Sequence, residues 1–433
     1  MKTFKNEVVT LNKIVGGGQA LGTLEDGKKV FAWGGLPGET VTIQVTKKKS
    51  KYIEGVVTEV SEPSVERVEP RDPNSYLSTS PWQIMDFKAE QHYKAALIEE
   101  AFELHDIVLP APITVYTDDV QYGYRNKVEF SWFGDTINSV ETLDLAFFRR
   151  GTQGKITIEG SSLAPETLNN LGRTVRDILR TKKVQARDLK TIMIRCDQAG
   201  NAVFQLYVKE KALQPFAQAD FEATGAQGGE VIYSDPKSPA SVITKRLVSF
   251  GETRLTDTVL DVPFTYVCEG FFQGNIPVYE QALRDMQQWV EEKPVVDMYS
   301  GVGSIGFTIG GDRLTLVELN KNAVDEMKRN RYELGKKATI IEASAESSLE
   351  YIDGDSTIIL DPPRAGLHAK VVERLLETKP QRIIYLSCNP VTQARDVALL
   401  AENYGVRHHQ GYNFFPRTPH IEHLVILDLK PAA

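Results

Sequence analysis

The spacing of apolar and polar positions divides the chain into three textures. In residues 1–62, "EVVTLNKIV", "QALGTLE", "KKVFAWGG" and "ETVTIQVTKKKSKYIEGVVTEV" are apolar or alternating runs rich in Val, Thr and Ile. "GGG", "EDGKK" and "GLPGE" punctuate them as turns. Five or so short strands in about sixty residues predict a small β-barrel of OB type. The stretch 61–75, "SEPSVERVEPRDPNS", is Pro-rich and charged, the composition of a linker. Ile84 to Leu104 has helical composition and contains no Gly or Pro. Between 113 and 260, strand-like runs such as "YRNKVEFSWF", "DLAFFRR" and "NAVFQLYVKE" surround one clear helix around 165–181, which predicts an α+β middle domain. From about residue 266 the rhythm changes. "PVVDMYS", "RLTLVELN", "ATIIEA", "STIILDPP" and "RIIYLSCNP" alternate with helix-like segments, as in βαβ units around a mostly parallel sheet. The predicted division is 1–62, 63–265 and 266–433.

Length agrees with several domains, because 433 residues exceed what one hydrophobic core serves. No apolar run approaches the ~20 residues that span a bilayer. "MKTFKNEVVTLNK" carries no apolar core of a signal peptide. The three cysteines, Cys196, Cys268 and Cys388, are too scattered for a CxxC metal site and too odd in number for a disulfide framework. The cytosol is the expected compartment. A net charge of −8 counts mildly against a nucleic-acid partner. Residues 1–62 nevertheless hold nine Lys against seven acids, with "TKKKSK" at 46–51. That run reads either as a solvated hairpin or as a face for phosphates.

The chemistry concentrates in the last third. Gly301, Gly303 and Gly306 follow a strand in G-x-G-x-x-G spacing. Glu318 ends the next strand, where an acid can hold ribose hydroxyls. A dinucleotide and an adenosyl cofactor want the same features, and these residues alone do not separate them. The later strands do. Ligands in open parallel sheets sit outside the carboxyl ends of the strands. "STIILDPPRAGL" puts Asp361 at such an end, and "IIYLSCNP" puts Cys388 at another. Hydride transfer needs neither. A methyl transfer to an inert carbon needs a nucleophile. Cys388 precedes Asn389-Pro390 and a helix start, which should lower its pKa. Cys196 and Cys268 lie inside strand-like runs and read as core. The base should be an acid near the same edge, and Glu422 begins the last strand. His420 and Glu422 share a strand face and His423 does not, so "HIEH" fails as a metal site.

Together these residues resemble the RNA uracil-5-methyltransferase family over most of the chain. The resemblance implies an α/β protein. It would have a Rossmann-like S-adenosylmethionine-dependent methyltransferase domain, an N-terminal OB-like TRAM β-barrel that binds RNA, and the α+β middle domain. The TRAM likeness rests on the glycine-rich turn, "DGKKVF" and "LPGETV". "FFQGN", "DMYSGVGSIG", "DPPRAG", "SCNP" and "HIEHL" match family motifs. They imply Cys388 as nucleophile and Glu422 as base. They imply Gln273, Tyr299, Gly301, Gly303, Ser304, Glu318 and Asp361 as contacts to S-adenosylmethionine. Arg125, Asn126 and Lys127 of "YRNKVEF", with Phe272 and Arg364, are implied near the RNA. The chemistry implied is addition of the Cys388 thiolate to uracil C6, methylation at C5, and removal of the C5 proton by Glu422. Many TRAM-bearing members carry four cysteines for an iron–sulfur cluster. Here Leu77 and Ser80 stand where two of them would, so no cluster is expected. The TRAM-like barrel tilts the expected target to 23S ribosomal RNA over the T-loop of transfer RNA. A monomer without membrane attachment is expected.

Overall fold

The computed structural model describes residues 6–137 and 140–431. Strands Glu7–Ile14, Ala20–Thr23, Lys29–Trp33, Thr40–Lys48 and Tyr52–Glu62 close into a barrel in the order first, second, third, fifth, fourth. Their alternating apolar positions point inward: Val9, Leu11, Val30, Val41, Ile43 and Ile53 form its core. Closure leaves the barrel no free edge.

A seven-stranded sheet follows, in the spatial order Lys155–Thr157, Asp144–Phe148, Lys127–Phe133, Leu189–Cys196, Ala202–Val208, Gly228–Tyr233 and Lys245–Gly251. The helix Glu166–Thr181 covers one face and buries Leu168, Leu171, Val175 and Leu179.

The last layer is an eight-stranded sheet. Its parallel part runs Ala338–Glu342, Leu314–Glu318, Val295–Met298, Thr357–Leu360 and Arg382–Ser387. Glu422–Leu429 then pairs antiparallel with Arg382–Ser387, so Ser387 stands opposite His423. This antiparallel return brings the start of the last strand beside the end of the strand that carries Cys388. Tyr404–Tyr412 and the short Val115–Tyr116 complete the sheet.

The expected 63–265 unit is interrupted. The helix Phe87–Glu103 lies against the eight-stranded sheet, with Ile98, Ala101 and Phe102 in the same core as Ile383, Val425 and Leu427. Val115–Tyr116 is that sheet's edge strand. The hairpin Arg254–Val259 with Val262–Val267 also packs into the last layer, through Leu255, Phe264 and Tyr266. Helical composition predicted the first element but could not say which sheet its apolar stripe would cover.

This helix also buries charge. Lys94 Nζ donates to Asn413 Oδ1 at 2.5 Å and to the Phe415 carbonyl at 3.1 Å. Glu90 accepts from the Arg417 N–H at 3.0 Å and from Asn413 Nδ2 at 2.9 Å. The turn 413–420 is thus clamped from one side. Trp82 clamps it from another: its N–H donates to Arg417 O at 3.2 Å, and its indole donates to Gly18 O in the barrel at 3.0 Å. A Cβ on Gly18, which sits at φ +92°, would collide with Pro419. The barrel therefore abuts the turn that feeds Glu422.

In the stretch 72–83, Gln83 Nε2 lies 2.7 Å from Ser80 Oγ, 3.0 Å from Asp72 Oδ2 and 3.2 Å from Ser162 Oγ. Asp72 Oδ2 also accepts from the Ser162 hydroxyl at 2.7 Å. Hydrogen bonds tie this segment to the middle sheet. No described helix is long and apolar enough to cross a membrane.

Candidate active site

Strand Val295–Met298 ends in a turn that only small or strained residues can make. Tyr299, Gly301 and Gly303 all have positive φ, +65°, +57° and +85°. A Cβ on Gly303 would sit 2.5 Å from the Phe307 ring, whereas one on Gly301 would meet open space. Glycine is needed at 303 for packing and at 301 for its backbone angle. The two oxygens of Glu318 accept from the Gly301 N–H (2.9 Å) and the Asn320 N–H (2.6 Å), which fixes the acid at its strand end. Ser304 is different. Its hydroxyl is engaged by the buried Tyr279 hydroxyl at 2.8 Å, a use the motif did not reveal.

Two residues that the sequence reading passed over belong here. Asp297 is fully buried; its Oδ2 accepts from the Gly306 N–H at 3.0 Å and its Oδ1 has no partner. Burial, with Asp361 and Glu318 nearby, holds its carboxyl well above the usual range. A charged residue inside the apolar run "PVVDMYS" was the available signal. Asn275, 2% exposed, leaves both ends of its amide unpaired. A buried polar orphan costs roughly 1–3 kcal/mol. A polar ligand beside the glycine turn is the physical way to satisfy both. The charged neighbours acting on Asp297 are negative, which suits a cationic one.

The second half of the site is a corner of four side chains. Cys388 is half-buried after strand Arg382–Ser387, with Asn389 capping the helix Pro390–Leu400. Glu422 starts the neighbouring strand and is 6% exposed. Asp361 ends strand Thr357–Leu360, and Arg364 follows after Pro362-Pro363. The four interact. Burial, Glu422 and Asp361 push the Cys388 thiol up to about 11, against the pull of Arg364. Burial and Asp361 hold Glu422 well above the usual carboxylate range. Burial brings Asp361 up to about 7. The expected helix-lowered thiol is therefore corrected. Burial and two carboxyls raise it, and Arg364 is the cation that opposes them. Cys196 and Cys268 are buried, each pushed up to about 12 by burial.

Around the segment 270–275, three of the residues expected near the RNA are turned into the protein. Phe272 is 5% exposed, stacked on Tyr266 at 4.4 Å between ring centroids. Its neighbour Phe271 is the exposed ring, at 68%. Asn126 is buried and donates from Nδ2 to the Gln273 carbonyl at 3.1 Å. Lys127 Nζ donates to Gly270 O at 3.2 Å, and burial beside Arg195 pulls its pKa down to about 8. Fully buried Arg195 donates to Gly270 O (2.7 Å) and Phe272 O (2.9 Å). Asn126, Lys127 and Arg195 thus hold a loop. Arg125 is half-exposed and acts electrostatically on His420. Gln273 is 8% exposed within the loop they hold.

Comparison with known proteins accords with this arrangement. Residues 261–430 match the family model described as tRNA (Uracil-5-)-methyltransferase, and residues 9–58 match the TRAM domain. A relative from Enterococcus faecalis, named an uncharacterized RNA methyltransferase, is 28% identical across 98% of this chain and 97% of its own length. One of the same name from Nitratidesulfovibrio vulgaris is 26% identical across 99% and 98%. Residues 261–430 are thus similar to the RNA uracil-5-methyltransferases, and residues 9–58 to TRAM domains. With that domain and relatives named RNA methyltransferases, the chain is an S-adenosylmethionine-dependent RNA (uracil-5-)-methyltransferase. Among solved structures, the Pyrococcus abyssi tRNA (uracil-54, C5)-methyltransferase, in complex with S-adenosyl-L-homocysteine, superposes with a TM-score of 0.80. It is 21% identical and covers 97% of this chain and 100% of its own, a likeness of fold.

The family's "HIEH" segment does not gather a metal site. His420 Nδ1 lies 3.2 Å from Arg364 Nη2, while His423 pairs with Gln393 (2.7 Å) and His409 (3.3 Å) on the other side of the strand. No group of three or more metal-ligating side chains forms among the described residues.

Proposed function

We propose that this protein methylates C5 of a uridine in structured 23S ribosomal RNA, with Cys388 as nucleophile and Glu422 as the base that clears C5. The observation that carries the reading is the corner itself: one thiol, two carboxyls and one guanidinium brought together from three separate segments. When bound, S-adenosylmethionine supplies an electrophilic methyl group. The residues suited to hold it are Gln273, Tyr299, Gly301, Gly303, Glu318 and Asp361, with Asp297 and Asn275 added by their unpaired atoms. Ser304 would serve through its backbone.

The protonation states favour an ordered sequence. At rest the thiol holds its proton, and Asp361 with Glu422 holds at least one more than two free carboxylates would. As sulfur bonds to C6 the thiol proton passes to the carboxylate pair, which gives one proton up to solvent so that Glu422 stands again as a carboxylate. The electron pair of the C5–C6 double bond moves into the enolate, and C5 becomes nucleophilic. Once C5 carries the methyl group, the Glu422 carboxylate takes the C5 proton. The double bond re-forms and the Cys388 sulfur leaves as thiolate. Each uridine methylated releases one net proton.

The barrel at 1–62 and the sheet within 63–265 are read as the parts that hold RNA phosphates. Exposed Phe271 and half-exposed Arg125 replace Phe272, Asn126 and Lys127 as surfaces offered to RNA. Solvated cytoplasmic RNA is the substrate this implies. A second reading, a T-loop uridine of transfer RNA, is favoured by the whole-length likeness to a transfer-RNA enzyme. Because that enzyme shares the fold, the barrel does not choose between them. Mapping 5-methyluridine in both RNAs from cells lacking the gene decides. Loss of a ribosomal site, restored by the wild type and not by Cys388→Ala, supports the first reading. Loss at the T-loop replaces it with the second.

A further inference from the structure

We infer that His420 is a positioning residue: its ring nitrogen holds the Arg364 guanidinium in the place from which that cation serves the Cys388 sulfur. The inference rests on the proposed role of Cys388.

Arg364 is exposed, so its long side chain has no packing to fix it. Rotamer entropy of roughly 2 kcal/mol works against a single orientation. Its backbone, however, is locked to the nucleophile's own turn. The Arg364 carbonyl accepts from Asn389 Nδ2 at 2.9 Å and from Thr392 Oγ1 at 3.2 Å, one and four residues past Cys388. What remains loose is the guanidinium, and His420 holds it. Arg364 Nη2 lies 3.2 Å from His420 Nδ1. A guanidinium only donates, so Nδ1 accepts and the ring proton sits on Nε2.

The ring is built to play this part. It packs edge-on against Phe415 with centroids 5.8 Å apart, and its backbone N–H donates to Thr418 Oγ1 at 3.3 Å. Burial, then the charges of Arg364, Arg125, Lys94 and Arg150, bring its pKa down to about 4. It therefore stays a neutral acceptor at any working pH. A protonated ring would repel the guanidinium instead. The turn that carries it is the one clamped by Glu90, Lys94, Trp82 and the barrel. On the other side, the groups acting on Cys388 are Glu422 and Asp361, which oppose its ionisation, and Arg364, which favours it. Without His420 that guanidinium would be free to swing into solvent.

The test reads the thiol directly. Iodoacetamide alkylation of Cys388 is followed by mass spectrometry against pH in the full chain, without RNA or methyl donor. Buried Cys196 and Cys268 serve as internal controls. His420→Ala should slow alkylation about tenfold near pH 8 and move its pH midpoint upward, as should Arg364→Met. The double variant should be no slower than Arg364→Met alone, because both changes remove one device. His420→Asn, whose amide oxygen can accept from the guanidinium, should stay within about threefold of the wild type if the acceptor is what matters. Wild-type alkylation in His420→Ala, or effects of the two single changes that multiply in the double variant, would overturn the inference. So would His420→Asn that folds with wild-type thermal stability yet alkylates as slowly as His420→Ala. Alkylation needs no methyl transfer. A wild-type protein that methylates no uridine would thus refute the proposed function and leave this measurement decisive on its own terms.

Discussion

Two clusters of charged and polar side chains flank the segment 270–275, and they differ in what their hydrogen-bonding groups meet. Asn126, Lys127 and Arg195 point into the protein and spend donors on the carbonyls of Gly270, Phe272 and Gln273. Asp361, Arg364, Cys388 and Glu422 point at one another, and burial keeps the acids and the thiol short of their charged forms. A side chain whose donors end on backbone carbonyls shapes a loop. Ionisable groups that mutually perturb one another at the ends of strands are poised for chemistry. Both clusters look alike in sequence, as polar residues beside aromatic or proline-rich stretches.

The sharpest way to break the contrast is to remove a member of each. Cys388→Ala should lower methyl transfer by at least about a thousandfold, measured with labelled methyl donor, while S-adenosylhomocysteine still stabilises the protein thermally. Retained turnover would move Cys388 out of the chemistry. Glu422→Gln should cost about a hundredfold or more and accumulate a covalent RNA adduct, visible as a gel shift that Cys388→Ala abolishes. Absence of the adduct would shift the base elsewhere, with Asp361 the next candidate.

Protonation sharpens the second cluster. If the Asp361 carboxylate helps to take the thiol proton, turnover should rise about tenfold per pH unit up to about 7 and then level. Asp361→Asn should flatten that limb. Stability runs the other way. A carboxyl raised from its usual value near 4 to about 7 in the fold favours the folded state most at low pH, and that contribution is lost as pH rises through 7. The unfolding temperature of the free protein should therefore fall between pH 5 and 8, and less so in Asp361→Asn.

The smallest effect on turnover belongs to the first cluster. Arg195→Met strips the donors from two carbonyls and should destabilise the fold by about 3 kcal/mol, read by urea unfolding. Turnover at saturating methyl donor should change only about threefold, with KM for the donor rising as the loop loosens. A stable but inactive Arg195→Met would place Arg195 with the chemistry and erase the contrast.

Much of the corner was legible because each member ends a strand and carries an identifiable chemistry. Cys388 follows an apolar run and precedes Asn-Pro. Asp361 follows one and precedes Pro-Pro. The glycine turn was legible for the same reason, since positive φ at Gly301 and Gly303 demands the residue type that the spacing displays. Asn275 was missed because an unpaired buried atom has no sequence signature, and Asp297 because a charge inside an apolar run does not say what the charge will face. Phe272 and Phe271 were confused because adjacent residues in an irregular loop have no period to tell the buried one from the exposed one. Which sheet the helix Phe87–Glu103 covers was not legible, because an apolar stripe specifies that it must be covered, not by which sheet.

By itself the sequence determined the element types, the barrel, the parallel sheet and the strand-end positions of Asp361, Cys388 and the glycines, because local periodicity encodes these directly. Only the tertiary structure decided the protonation of Cys388 and its neighbours, the scaffold role of Asn126 and Lys127, and the meeting of His420 with Arg364. Those depend on burial and on which distant segments face each other. Arg364 and His420 are 56 positions apart in the chain, and the antiparallel return of the last strand brings them together.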